Sequence, residues 1–232
     1  MKTKIEAGGL DCLCCVGADP RKIAYVLYPM EVLDDWIESA ATRYDTTIVV
    51  VTGMDWDNVF SPWPAPGEPP GSPDFKGESA QFLKLLQTQV VPLVESRLGV
   101  PRDARRSLVG VSMSGLFALW QWMVCDTFTD IASLSGSFWF PGFPEWMRSR
   151  PAVSKTGKAY FLLGNQEARS PVKAFQCVAA NTDQIVDLLR NEGVDVEFES
   201  VAGNHFADPL PRLDRAFAGL YKTNKDDGRR ED

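Results

Sequence analysis

The sequence predicts an α/β fold in which a mostly parallel central sheet lies between two layers of helices. Segments with the patterns of strands and helices alternate along most of the 232 residues. The β-branched run T-T-I-V-V-V-T at Thr46–Thr52 is typical of a buried strand. Before it, residues 23–28 form another strand pattern, and residues 32–44 carry apolar side chains at helical spacing. This order indicates a crossover between parallel strands.

The remaining elements continue this alternation to residue 220. Strands are predicted at residues 23–28, 46–52, 107–111, 130–135, 158–163 and 194–201, the last one at a sheet edge because polar and apolar residues alternate in it. Helices are predicted at residues 32–44, 78–98, 116–125, 172–190 and 213–220, with a kink at Pro92 and a C-terminal cap at Gly193. We expect one domain over residues 1–232, of which residues 221–232 form a charged, disordered tail.

Two segments between these elements are unusual. Residues 54–77 are rich in proline and glycine, which exclude regular structure, yet they hold four large aromatic side chains that favour burial. We therefore predict an ordered loop over the sheet edge. Residues 136–147, G-S-F-W-F-P-G-F-P-E-W-M, fit either the wall or lid of a pocket or a packed loop.

Composition limits the partners and the compartment. The formal net charge of −7 argues against nucleic acid or an anionic membrane as a partner. No apolar run reaches the roughly 18 residues of a membrane span, and the start of the chain lacks the apolar core of a signal peptide. We therefore expect a soluble cytoplasmic protein. The cluster D-C-L-C-C at Cys12, Cys14 and Cys15 has no second Cys or His pair at ligand spacing, so we expect free thiols and no metal site.

One short segment carries the pattern of a nucleophilic serine. Residues 110–115 read G-V-S-M-S-G and lie between a predicted strand and a predicted helix. Small residues around Ser112 let the chain turn sharply and present the serine at a helix N-terminus, where free N–H groups favour a developing negative charge. The pattern is G-x-S-x-G with one departure, because Ser114 holds the last glycine position.

An acid and a base follow at the ends of later strands. Glu167 lies in the turn after residues 158–163, and His205, the only histidine of the chain, follows the last predicted strand. Nucleophile, acid and histidine in this order are typical of the α/β-hydrolase fold, in which the histidine takes the serine proton and the carboxylate orients the ring. Three other carboxylates are less suited, since they lie on a helix or directly after the histidine: Asp183, Asp187 and Asp208.

Five motifs occur together in this chain: G-V-S-M-S-G, S-L-S-G-S-F-W-F-P-G-F, L-G-N-Q-E-A-R, G-N-H-F and a W-P-A-P loop. As a set they resemble the Putative esterase family of α/β hydrolases, which includes esterase D, enterochelin and other siderophore esterases, feruloyl esterases and mycolyl transferases. The resemblance spans residues 23–220. It implies an α/β-hydrolase fold in three layers, with Ser112 as nucleophile, Glu167 as acid and His205 as base. Relatives often carry Asp where Asn165 stands, which leaves Glu167 as the only carboxylate of that turn.

The resemblance also implies the surroundings of the nucleophile. The oxyanion hole would combine the N–H of Met113 with that of Met54, in the loop after residues 46–52. The tryptophan–proline loop would help shape the acyl or alcohol pocket, with Trp56 and Trp63 as its candidate side chains. If residues 136–147 form a pocket wall, Phe138 and Trp139 are the candidates there. No metal and no cofactor is implied, and the partner is a small-molecule ester.

Three functions are compatible with these residues. The first hypothesis is a serine carboxylic-ester hydrolase that acts through an acyl-enzyme. The second is an acyltransferase of the same fold, in which an alcohol replaces water. The third is a catalytically inactive binding protein, against which the intact set of Ser112, Glu167 and His205 argues. The sequence leaves the natural ester and the oligomeric state open.

Overall fold

The computed structural model describes residues 2–28 and 34–221, and it confirms the predicted α/β fold with its three layers. The strands are β1 (Lys2–Ala7), β2 (Leu10–Cys15), β3 (Asp19–Leu27), β4 (Thr46–Thr52), β5 (Pro64–Ala65), β6 (Phe75–Lys76), β7 (Arg105–Val111), β8 (Asp130–Leu134), β9 (Lys158–Gly164) and β10 (Asp195–Val201). The helices are α1 (Asp34–Arg43), α2 (Trp56–Val59), α3 (Ser79–Leu85), α4 (Val91–Leu98), α5 (Met113–Val124), α6 (Phe143–Ser149), α7 (Val178–Asn191) and α8 (Pro209–Leu220).

The main sheet has eight strands in the order β1-β2-β4-β3-β7-β8-β9-β10. Six neighbouring strands run parallel, namely β4, β3, β7, β8, β9 and β10 in their order across the sheet. Strands β1 and β2 add an antiparallel hairpin at one edge. Parallel strands that are covered on both faces read as nearly continuous apolar runs, which is the pattern of β4. The carboxyl ends of the six parallel strands meet at one edge of the sheet, and the turns that follow β7, β9 and β10 therefore come together there.

Two apolar cores cover the two faces of the sheet. Helices α1 and α8 pack on one face, where Trp36 meets Phe217 edge to face at 5.2 Å between ring centroids. Helices α3, α4, α5 and α7 pack on the other face, where Phe82 and Phe117 belong to a larger core. These two cores give the middle layer its buried strands and fix α5 behind the turn that follows β7.

Several predicted boundaries differ from the structure. The hairpin of β1 and β2 was missed, and the predicted helix over residues 172–190 begins only at Val178, after a 3₁₀ turn at Lys173–Cys177. The loop over residues 54–77 has Phe60 and Phe75 buried, but it also contains α2 and the two-residue ladder of β5 and β6. Residues 32 and 33 of the predicted first helix and residues 222–232 of the predicted tail lie outside the described residues. Tyr221, the first residue of that tail, is ordered instead, since it is buried and its hydroxyl donates to Ser107 Oγ at 2.6 Å.

The predicted kink at Pro92 takes the form of a π-helical turn at Leu86–Val90, between α3 and α4. Proline has no N–H to donate, so the helix changes its bonding pattern beside Pro92. The N–H of Val91 then donates to the carbonyl of Leu86, five residues back. The helix therefore continues through the proline to Leu98.

The cysteine cluster lies on β2, and its three thiols are free and buried. Burial raises the pKa of the Cys12 and Cys14 thiols to about 12, which keeps them protonated and unreactive. Within residues 2–28 and 34–221, no group of three or more Cys, His, Asp or Glu side chains is placed to hold a metal ion. Over the same ranges, every helix is too short or too polar to cross a bilayer.

Candidate active site

Ser112 lies at the sharp turn from β7 into α5. Its backbone has φ 57° and ψ −120°, a conformation that is costly for any residue but glycine and that clusters at functional sites. A Cβ at Gly110 would lie 2.1 Å from the carbonyl oxygen of Ser114, so the turn requires glycine there. The N–H of Ser112 donates to the Leu134 carbonyl at 2.9 Å, which ties the turn to β8. The hydroxyl is thereby held at the N-terminus of α5.

Ser114, the departure from the glycine pattern, fits the turn without distorting it. The residue is fully buried, and its hydroxyl accepts a hydrogen bond from the Val111 N–H at 2.8 Å. The same oxygen lies 2.9 Å from the Leu27 carbonyl at the end of β3, to which it can donate. The serine therefore links the turn to the neighbouring strand, where glycine would leave this bond unmade.

The structure brings the three predicted catalytic side chains into one hydrogen-bonded chain. Ser112 Oγ lies 3.1 Å from His205 Nε2, and His205 Nδ1 lies 2.9 Å from Glu167 Oε2. Each residue follows a parallel strand, β7, β9 or β10, so that the three meet at the carboxyl edge of the sheet. The imidazole is one-third exposed, whereas the carboxylate is buried.

Glu167 has other hydrogen-bond partners besides His205. Its Oε1 accepts hydrogen bonds from the Ser135 hydroxyl at 2.6 Å, the Gly164 N–H at 2.7 Å and the guanidinium of Arg212 at 3.2 Å. Burial would raise the pKa of the Glu167 carboxyl, but hydrogen bonds from His205, Ser135 and Gly164 lower it below its ordinary value. An ionised Oε2 keeps the imidazole proton on Nδ1 and leaves Nε2 as the acceptor that faces Ser112.

The other nearby carboxylates lie apart from the imidazole. Asp183 and Asp187 are exposed on α7, and the latter pairs with Arg190 at 3.9 Å. Asp208 caps α8, where its Oδ1 accepts a hydrogen bond from the Leu210 N–H at 3.0 Å.

Asn165 has a separate place in the turn after β9. Its Oδ1 accepts a hydrogen bond from the Gly203 N–H at 3.3 Å, and its own N–H donates to the Val201 carbonyl at 2.8 Å. Asn165 thus connects the turn that carries the acid with the one that carries the histidine.

The two predicted oxyanion-hole residues come from different parts of the chain. Met113 is the first residue of α5, directly after Ser112, and it lines the cavity in front of the serine. Met54 lies between β4 and α2, with its side chain packed against the core. Their N–H groups as the pair of donors stay a prediction.

A cavity of about 440 Å³ opens onto Ser112 and His205. Its walls are mainly aromatic and apolar, and Trp139 lies 4.3 Å from Phe175 between ring centroids. The lining includes Trp56, Phe75, Met113, Trp139, Pro171, Val172, Phe175, Val178 and Phe206. Among the described residues that line it, the charged groups are the carboxylates of Asp57, Glu68 and Glu167, and none is a lysine or arginine.

A second cavity of about 370 Å³ shares four residues with the first: Trp56, Ser112, His205 and Phe206. It is otherwise lined by Tyr28, Val111, Leu134, Ala207, Pro209 and Arg212. Two spaces therefore meet at Ser112 and His205.

The four predicted pocket side chains divide into two groups. Trp56 and Trp139 line the main cavity. Trp63 lies outside that lining, because its indole N–H donates to the Pro141 carbonyl at 2.9 Å and its ring packs on Phe143. Phe138 is fully buried and stacks on Phe143 as well. The aromatic segment at residues 136–147 is thus a packed loop that leads into α6, and it contributes Trp139 to the cavity wall.

Three polar residues of the site were not predicted. Two of them lie in the segment S-L-S-G-S at the end of β8. The Ser135 hydroxyl donates to Glu167 Oε1, and Ser137 Oγ lies 3.3 Å from Ser112 Oγ. Arg212 on α8 is the third. The signal for the serines was their position directly after a strand of the parallel sheet.

A comparison with family models matches residues 27–217 to the family described as Putative esterase. Among curated proteins, Uncharacterized protein YbbA of Bacillus subtilis (strain 168) is 25% identical over 199 residues, which are 82% of this chain and 80% of that protein.

Two solved structures have similar folds. The IroE-like serine hydrolase from Shewanella oneidensis superposes with a TM-score of 0.78 at 15% identity, over 96% of this chain and 80% of that one. The siderophore hydrolase EstA from Aspergillus nidulans gives a TM-score of 0.73 at 17% identity, over 92% and 90% of the two chains. The likeness to both is one of fold, the α/β-hydrolase fold.

Proposed function

The chain belongs to the Putative esterase family and is therefore an esterase, and we propose that it is a serine carboxylic-ester hydrolase that acts through an acyl-enzyme. Ser112 is the nucleophile, His205 the general base and Glu167 the acid that orients it. The observation that carries the proposal is the unbroken chain of hydrogen bonds from Glu167 Oε2 through the imidazole to Ser112 Oγ, at the mouth of an apolar cavity.

In the first half of the reaction, Ser112 Oγ attacks the carbonyl carbon of the ester while its proton passes to His205 Nε2. The ionised Glu167 stabilises the imidazolium that forms. The negative charge on the carbonyl oxygen is stabilised by the N–H of Met113, at the positive end of the α5 dipole, together with that of Met54. His205 then returns the proton to the leaving alcohol oxygen, and the acyl group stays on Ser112.

In the second half, water takes the place of the alcohol. His205 removes a proton from the water, whose oxygen attacks the acyl carbon, and the proton returns to Ser112 Oγ as the carboxylic acid leaves. Product analysis in the presence of added methanol separates this hydrolysis from acyl transfer, because transfer would yield the methyl ester.

The lining of the main cavity bears on the substrate. Aromatic walls around Trp139 and Phe175 favour a flat or apolar group in the ester, and the carboxylates of Asp57 and Glu68 disfavour an anionic one. Solved structures of similar fold include a siderophore hydrolase. We infer that this chain acts on esters with an uncharged or cationic aromatic or apolar group.

The experiment that tests the proposal is a panel of nitrophenyl esters with increasing acyl length, assayed on the wild type and on Ser112→Ala. We expect hydrolysis by the wild type and its loss in the variant, whose fold is checked by circular dichroism. A serine-directed organophosphonate should label Ser112. Ser170→Ala is the matched control, since Ser170 lies in the same cavity outside the hydrogen-bonded chain. Labelling of another serine, or full activity in Ser112→Ala, would contradict the assignment.

A further inference from the structure

Arg212 is a buried cation directly behind the candidate catalytic residues. It lies in the first turn of α8, and only 6% of the residue is exposed. Arginine is rarely buried to this degree unless it is paired, because removing the guanidinium from water costs much free energy. The position therefore calls for an explanation in terms of its partners.

The two arms of the guanidinium contact different parts of the site. Nη1 donates to the Ser135 hydroxyl at 2.6 Å and to Glu167 Oε1 at 3.2 Å. Nη2 donates to the carbonyl of Asn204, the residue before His205, at 2.7 Å. One rigid group thus holds both the carboxylate and the backbone that carries the imidazole.

Ser135 completes the link on the side of the acid. Its hydroxyl accepts from Arg212 Nη1 and donates to Glu167 Oε1 at 2.6 Å, so that it passes the polarisation of the guanidinium on to the carboxylate. Ser135 and Arg212 both contact Oε1 of Glu167. The second oxygen, Oε2, stays free for His205 Nδ1.

Space for the guanidinium depends on a glycine in the turn after β9. A Cβ at Gly164 would lie 2.5 Å from the Gly203 carbonyl oxygen, 2.8 Å from Arg212 Nη2 and 2.9 Å from Glu167 Oε1. Any other residue at position 164 would therefore displace the backbone of the histidine loop, the guanidinium or the carboxylate. The glycine lets these three groups pack together.

We propose that Arg212, with Ser135 as its relay, is a positioning residue that fixes Glu167 and the loop of His205 relative to each other. This inference rests on the proposed function. Arg212 lines the second cavity, but its guanidinium donates to Ser135, Glu167 and the Asn204 carbonyl and not to Ser112 Oγ. It therefore acts on the reaction through the acid and the loop. Its replacement therefore lowers kcat and leaves KM nearly unchanged.

The alternative is that Arg212 only stabilises the fold, and a matched pair of variants separates the two. Arg212→Met removes the guanidinium from the site. Arg215→Met makes the same change three residues later on α8, where the side chain is half exposed and pairs with Glu199. Thermal unfolding identifies conditions in which both variants are folded, and kcat and KM are then measured with a nitrophenyl ester.

We expect Arg212→Met to lower kcat by about 10- to 100-fold, the usual cost of a misplacement of about 1 Å in a catalytic site, with KM within about threefold. Arg212→Lys should recover part of this loss, since an ammonium keeps the charge but cannot fill both arms. Arg215→Met should stay near the wild type. A folded Arg212→Met with the kcat of Arg215→Met would overturn the proposal.

A double variant shows whether Arg212 acts through the acid. In the Glu167→Gln background, Arg212→Met should lower kcat by a smaller factor than in the wild type, because the link through the acid is already broken and only the bond to the Asn204 carbonyl remains to be lost. Multiplicative losses would overturn the proposal. The double variant should also unfold at a higher temperature than Glu167→Gln alone, which leaves a buried cation without its carboxylate.

Ser135→Ala provides a measurement that does not depend on the folding of Arg212→Met. It removes the relay and keeps the ion pair, and we expect kcat to fall about 3- to 10-fold, as for the net loss of one hydrogen bond. An unchanged kcat would contradict the inference. Failure of the proposed function has a different signature: the wild type itself would show no hydrolysis that depends on Ser112.

Discussion

Replacing Glu167 by glutamine reverses one hydrogen bond of the site. Oε1 of the carboxylate faces three donors, from Ser135, Gly164 and Arg212, so the amide oxygen of a glutamine takes that position. The amide NH₂ then faces His205 Nδ1, at a site where the present distance is 2.9 Å. Only an unprotonated Nδ1 can accept this bond. The imidazole proton moves to Nε2, which can no longer accept the proton of Ser112.

The size of the effect follows from this change of tautomer. The acid of a serine protease, replaced by its amide, loses about 10⁴ in kcat for the same reason, while in a second protease loss of the acid is about a hundredfold milder than loss of the nucleophile. We expect Glu167→Gln to lower kcat by a factor between roughly ten and ten thousand, toward the upper end, which is at most about 5.5 kcal/mol of transition-state stabilisation. KM should change little because the two side chains have the same size.

Steady-state hydrolysis of a nitrophenyl ester measures this effect. Asp183→Asn and Asp187→Asn serve as controls and should stay near the wild type, since both carboxylates are exposed on α7. Asp208→Asn should also keep its activity, because asparagine is as good a helix cap as aspartate. If Asp208→Asn inactivates the enzyme while Glu167→Gln does not, the acid is misassigned.

Three further predictions use other features of the site. His205→Gln should remove most of the rate, because it takes away the imidazole nitrogen that lies 3.1 Å from Ser112 Oγ; a variant with wild-type kcat/KM would exclude this base. Gly110→Ala should destabilise the fold by about 1–3 kcal/mol or more and remove activity, because the added Cβ meets the Ser114 carbonyl at 2.1 Å; chemical denaturation measures the first effect, and wild-type stability would refute the turn geometry. Of two esters that differ only in a carboxylate group, the one that carries it should have the higher KM, because Asp57 and Glu68 line the cavity. Asp57→Asn or added salt should reduce this difference in KM. Equal KM values for the two esters would show that the charge of the cavity does not discriminate between substrates.

The sequence predicted the parallel strands well, because burial on both faces leaves a continuous apolar run that survives in any context. The predicted and observed bounds of β4 are the same. The hairpin of β1 and β2 was missed because β1 is largely exposed and carries three charged residues, while β2, although mostly buried, is a short strand rich in cysteine. Its signal was the pair Gly8-Gly9 between them, with φ of 61° and 77°, as a two-residue hairpin turn requires.

Helix starts were predicted less well where proline begins the helix. Helix α8 begins at Pro209 after the cap at Asp208, four residues before the predicted start at residue 213. Proline suits the first helical position, because its missing N–H has no partner there, and Asp before Pro is a start signal. The first turn of α8 was thereby left out, and that turn contains Arg212.

Ser112, Glu167 and His205 could be predicted because each follows a strand, and the carboxyl ends of parallel strands share one edge of the sheet. Arg212 lies on a helix, so its environment depends on which face α8 turns to the sheet. That face is marked by Leu213, Ala216 and Phe217, all fully buried. Arg212 stands four residues before Ala216 and therefore shares this face, whereas Arg215 does not. A charge on an apolar helix face needs a buried partner of opposite sign. Helix α8 directly follows the loop that carries His205, so the buried carboxylate beside its first turn is Glu167, which is bound to His205. The apolar pattern of α8 therefore identifies both the buried position of Arg212 and its partner, Glu167.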